Sequence, residues 1–160
     1  MQSMTLIKMA VFRAGRHLGA AIVVFSLLGV MLVGCKDNYG ACEKAAADIG
    51  TGIASGMKVV DSLRVSGQIT VQKETEILGY LKFANDANGA FSVCAQQAHQ
   101  AGSRSGAYTA CAQVFQAALS NPAELALIHV DNPQTQATVQ NIVAGISAGV
   151  TAVLTALGGA

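Results

Sequence analysis

Apolar positions along this chain fall into two regimes. From Leu18 to Val33 they run almost unbroken; beyond residue 40 they recur in steps of three and four, the spacing that lays one stripe along an α-helix. Between Ala41 and about Leu63 the stripe is Cys42, Ala45, Ile49, Ile53, Met57 and Val60. Gly50, Gly52 and Gly56 interrupt it, each costing a helix interior about 1 kcal/mol relative to Ala. After a break at Val65 to Ile69, Thr70 is a candidate N-cap. A second helix is predicted from Val71 to about Ala101, with Ile77, Leu81, Ala84, Asn88, Phe91, Ala95 and Ala98 on one face. Asn88 is the polar member of that face. Such a residue either sets register at some cost in stability or, the favoured reading here, sits at the edge of the stripe in contact with water.

The run Gly102-Ser-Arg-Ser-Gly106 signals a turn, and a third helix from Ala107 to about Leu119 buries Tyr108, Cys111, Ala112, Phe115 and Leu119. Asn121-Pro122-Ala123-Glu124 reads as a capping box with proline at the first helical position, opening one or two turns. Leu127 to Val130 has the composition of an extended segment. Asn132-Pro133 then starts the last helix, whose apolar face is Val139, Ile142, Ile146, Val150, Val153 and Leu157. The fold class expected is all-α, a small bundle of three or four main helices in which short loops make neighbours antiparallel.

The first regime has a different meaning. Lys8, Arg13 and Arg16 precede it with no acid among them, and its sixteen apolar residues fall short of the about 20 that span a bilayer comfortably. It reads as a removable signal core. Its end, Leu32-Val33-Gly34-Cys35, resembles the lipobox of bacterial lipoprotein precursors. That resemblance implies cleavage between Gly34 and Cys35, a thioether from the Cys35 thiol to diacylglycerol, and acylation of the new amino group with a chain such as palmitate. More than one acyl chain is what lasting membrane attachment requires. Lys36 directly after the cysteine, with Asp37 one place later, favours the outer over the inner membrane by the family's sorting pattern. The chain thus divides into a signal peptide (1–34), a short tether (35–40) and a helical domain (41–160).

Removing the leader leaves seven basic and nine acidic side chains. This slightly negative balance gives no reason to expect nucleic acid as a partner. Tryptophan is absent and aromatics are few, so a base- or sugar-stacking surface is not expected either. No repeat at solenoid periods is visible.

Three thiols remain besides Cys35: Cys42, Cys94 and Cys111. In a hairpin of the second and third helices, residues equidistant from the turn face each other. The midpoint of 94 and 111 falls at Gly102/Ser103, inside the predicted turn, and that of 42 and 94 falls in the preceding loop. All three are therefore expected in one layer at one end of the bundle. A Cys94–Cys111 disulfide is the favoured pairing, with Cys42 as the alternative partner of either.

No cofactor or metal is expected. Cys94 and His99 form the one close Cys/His pair, and five helical residues place them about 140° apart. No nucleophile-elbow, Walker, Rossmann or zinc-protease pattern occurs. Catalysis by Cys94 or Cys111 with His129 is the one candidate pairing of thiol and base, and a structural disulfide is favoured over it. The chain is not expected to be an enzyme.

The tail remains. After Asp131 no charged side chain occurs, and Gly145 and Gly149 have the small-residue spacing of associating membrane helices. Core helix, membrane-inserting helix and self-association helix are all readings of this segment. The expected function is that of a noncatalytic, lipid-anchored protein of the bacterial envelope, facing the periplasm and binding an envelope protein or spacing envelope components. The alternative is an envelope-active small protein whose apolar C-terminal helix (133–158) inserts into, or oligomerises at, a membrane.

Overall fold

The computed structural model describes residues 38–158. The described residues form four long helices and one short one: α1 (Asn38–Val65), α2 (Val71–Gln100), α3 (Ser105–Leu119), α4 (Pro122–Leu127) and α5 (Pro133–Ala156). Among the described residues there is no strand. The fold is the small all-α bundle that the periodicity predicts.

Three helix starts and two helix ends have an evident local cause. The Thr70 hydroxyl accepts from the Lys73 amide at 3.2 Å, as an N-cap does. Asn121 accepts from Ala123 N, and Asn132 from both Gln134 N and Thr135 N, each before a proline that lacks the N–H a first-turn residue would leave orphaned. α1 ends at Gly67, whose φ of 70° is left-handed; Gln68 N donates to Leu63 O and Gly67 N to Arg64 O, the paired bonds of a Schellman closure. α2 closes the same way at Gly102 (φ 64°), through Ser103 N to Ala98 O and Gly102 N to His99 O.

The helices run up, down, up and down, with α1 packed on α2 and α5, and α3 on α2 and α5. The register of α1 against α5 is set by two reciprocal contacts. A Cβ on Gly149 would come within 2.9 Å of Ile49 Cγ1, and one on Gly56 within 2.7 Å of Ile142 Cγ2. Seven residues up α1 correspond to seven back along α5, as antiparallel neighbours require. Each glycine is a hole that receives the other helix's isoleucine. This explains one departure from the expected stripe: Gly56 is buried where Met57 was expected, and Met57 and Ile142 are only half-buried. Gly145 has nothing near its missing Cβ, so the two glycines of the tail do not act as a pair.

Two other expectations are corrected. Asn88 is buried, 7% exposed, rather than at a wet edge, because its Nδ2 reaches the Ala46 carbonyl on α1 at 2.9 Å. Leu127 to Val130 is not extended: Leu127 ends α4, Ile128 is its cap at φ −91° and ψ 9°, and no strand lies nearby to pair with. Instead Ile128 and Val130 turn inward and are buried, and the Val130 amide donates to Gln136 Oε1 at 2.6 Å. α1 begins three residues before its predicted start, α2 stops one residue short and α3 starts two early.

Candidate functional site

The bundle has two chemically different ends. The lower end holds the start of α1, the α2–α3 turn, the start of α3 and the end of α5. Here Cys94 on α2 and Cys111 on α3 lie at disulfide distance, Sγ to Sγ 1.93 Å and Cα to Cα 5.8 Å, across the turn the sequence midpoint indicates. Phe91 and Phe115 stack one turn higher with centroids 5.6 Å apart, fixing the two helices in that register. Cys42 is fully buried on α1 and lies outside the bond. The contact of Ala46 with Asn88 places Cys42 at the height of the disulfide. Its α2 neighbour at that height is already turned toward α3.

At the same end the Tyr39 ring lies on the His99 imidazole, centroids 4.2 Å apart and planes within 14°. Tyr39 Oη also donates to Glu43 Oε1 at 2.6 Å. The first turn of α1 is thus held against the last turn of α2. Arg104, exposed, occupies the N-cap position of α3 without a side-chain cap bond. The lipobox residues Leu32, Val33, Gly34 and Cys35 lie outside the described residues.

The upper end carries the α1–α2 turn, α4 and the start of α5. The Arg64 guanidinium bridges Glu74 across the turn (Nε to Oε2, 2.9 Å) and Asp61 on its own helix (3.1 Å). Lys73 pairs with Glu76 and donates to the Leu127 carbonyl at 3.2 Å, tying α4 to α2. Lys73 and then Gln72 stabilise the Glu76 carboxylate and pull its pKa down. Among these charges four large apolar side chains are exposed: Val65 (70%) and Val71 (68%) on either side of the turn, Leu125 and Leu127 on α4.

Other candidate residues are not brought together. His129 lies on the α4–α5 loop at the upper end, 3.9 Å from Asp131, whereas Cys94 and Cys111 are at the lower end and bonded to each other. His99 lies on Tyr39 rather than beside a thiolate. Among the described residues no three His, Cys, Asp or Glu side chains converge as a metal site requires.

Tyr80 escapes the sequence stripe yet is 1% exposed, with its hydroxyl donating to the Leu119 carbonyl at 3.4 Å. Burial first, and the Glu124 charge second, push its pKa up. Its position between two predicted stripe residues, Ile77 and Leu81, was the only signal of its burial.

Compared with known proteins, the chain matches no family model, no curated protein and no solved structure.

Proposed function

We propose that this chain is a bacterial envelope lipoprotein, anchored by a lipid on Cys35 after cleavage at Gly34, whose noncatalytic helical domain binds an envelope protein. The outer membrane is the favoured location. The observation that carries the binding role is that four large apolar side chains, Val65, Val71, Leu125 and Leu127, are exposed on the end opposite α1's start, which also carries Asp61, Arg64, Lys73 and Glu76. Apolar centres with charged rims are what protein-binding patches present. A stapled, close-packed bundle is a suitable rigid support for such a patch.

Membrane fractionation tests the anchor. Wild-type protein is expected in the membrane pellet after carbonate extraction, and a Cys35→Ala variant in the supernatant; mass spectrometry of the native N-terminal peptide is expected to show the acylated cysteine. An intact leader or an unmodified Cys35 overturns the proposal. Partner capture from solubilised envelopes is expected to be lost on Val65→Asp with Leu127→Asp, while the helical circular dichroism is retained.

The second reading, a membrane-inserting α5, draws on a specific observation. Among the described helices α5 alone is long and apolar enough to cross a bilayer, and only 28% of its most apolar window is buried. The Thr138, Thr151 and Thr155 hydroxyls donate back into the helix, leaving none of these three unsatisfied in a lipid setting. Under this reading Cys35→Ala stays in the carbonate pellet.

A further inference from the structure

The two ends of the bundle differ in distance from the anchor as well as in chemistry. Only Lys36 and Asp37 separate Cys35 from the first residue of α1. With consecutive Cα atoms 3.8 Å apart, three virtual bonds allow a reach of at most about 11 Å. That limit applies to the body of the bundle, because the stack of Tyr39 on His99 ties the first turn of α1 to α2. α1 itself, at 28 residues, is about 42 Å long at 1.5 Å per residue, so its far end is several tether lengths away.

Charge is distributed in the same sense. The upper end carries Asp61, Glu74, Glu76, Glu124 and Asp131 against Arg64 and Lys73, an acidic excess. The lower rim presents the exposed Arg104 and the half-buried Lys44 against the exposed Glu43, and the tether carries Lys36 against Asp37, so this end is nearly balanced in charge. An anionic headgroup layer repels the acidic end more strongly than the nearly balanced one, within the Debye length of about 8 Å at physiological salt. Tyr39 is the residue type that favours the boundary between lipid and water.

We propose that the disulfide end of the bundle, with the Tyr39–His99 stack and Arg104, is a membrane-contact face resting on the phospholipid headgroup layer, holding the domain end-on with α4 directed away from the bilayer. The inference rests on lipidation of Cys35. It adds a surface and an orientation: the two-residue tether leaves the lower rim no room to leave the headgroups, and the acidic end is held out toward the compartment where a partner is met.

The test uses the lipidated protein in phosphatidylethanolamine–phosphatidylglycerol vesicles containing a lipid with a nitroxide on its headgroup. A coumarin amino acid replaces either the exposed Ala101 at the lower rim or the exposed Ser120 at the upper end, without touching a cysteine. Coumarin at 101 is expected to be quenched several-fold more strongly than at 120. Inserting about ten Gly/Ser residues between Asp37 and Asn38 adds about 17 Å of mean reach and is expected to bring the two toward equality. Equal quenching without the insertion, or stronger quenching at 120, overturns end-on contact; a difference that survives the insertion overturns the tether as its cause. Protein that fails to float with the vesicles and lacks the acyl mass shows that the anchor reading itself has failed. Protein that floats but quenches alike at both positions leaves the anchor standing and refutes only the contact face.

Discussion

The side-chain amide of Asn88 donates to the backbone carbonyl of Ala46 across the α1–α2 interface at 2.9 Å, while its own Oδ1, also buried, has no hydrogen-bond partner. Gly50 lies beside it, its absent Cβ 3.5 Å from Nδ2. The Ala46 carbonyl is therefore reachable from α2 past a residue with no side chain. A half-satisfied amide specifies one register but costs stability that an apolar residue of the same size does not. Asn88→Leu is accordingly expected to leave urea stability unchanged or raised. Asn88→Asp, which removes the donor and buries a carboxylate against a carbonyl, is expected to lower it by about 3 kcal/mol. Equal effects of the two in denaturation curves would show that the amide has no directional role.

Gly145 and Gly149 separate the bundle from a membrane pairing of α5. A Cβ at 149 meets the buried Ile49 at 2.9 Å, and one at 145 meets nothing within 4 Å. Gly149→Ala is expected to destabilise by about 1–3 kcal/mol through overpacking. Gly145→Ala is expected to stabilise by about 0.5–1 kcal/mol, since alanine loses less entropy in a helix. A membrane dimer through the small-residue motif would be weakened by both, which thermal melts and cross-linking of the pair of variants distinguish.

The disulfide closes the α2–α3 hairpin over a separation of 17 residues. A loop of that length stabilises by about 3 kcal/mol in the chain-entropy account. Cys94→Ser with Cys111→Ser is expected to lose roughly that amount in urea unfolding, by the same principle. Nonreducing tryptic digestion, cutting after Lys82 and Arg104, is expected to yield the peptides holding Cys94 and Cys111 as one linked species that reduction separates.

Tyr80 gives the fold an alkaline limit. Its pKa is raised in the folded chain by burial and by Glu124, so the neutral phenol is the form the fold favours. The stabilisation is complete below the unfolded tyrosine value of about 10 and is lost as pH rises through the higher folded value. Stability is expected to fall in that alkaline range, and Tyr80→Phe is expected to flatten this part of the profile in denaturation curves collected across it. An ultraviolet titration in which every tyrosine ionises at the unfolded value would contradict it.

Periodicity located the four main helices, the six apolar face residues of α2 and the five of α3, and capping chemistry located Thr70, Asn121 and Asn132 at the starts of α2, α4 and α5. These are local matters: side-chain spacing, capping chemistry and turn residues lie within a few positions of each other. The Cys94–Cys111 pairing was legible for a related reason, since a hairpin's register follows from where its turn lies. The lipobox reading is likewise a matter of adjacent residues, Leu32 to Cys35, and its outcome rests with the cell's processing enzymes rather than with the bundle.

What the sequence could not contain by itself was which small residue meets which large one across helices. Gly56, Gly145 and Gly149 look alike along the chain. Only the approach of α5 to α1 makes two of them receptacles for Ile142 and Ile49 and leaves the third open. The same is true of Asn88, polar in any window, which is buried because one carbonyl on another helix is left uncovered by a glycine. Ile128 and Val130 lie in the α4–α5 connection, where no helical rhythm marks them, and are buried by the fold. A chain's spacing determines which face of a helix is apolar; the packing of four faces determines which of its residues are enclosed, and that requires contacts between positions that are up to a hundred residues apart.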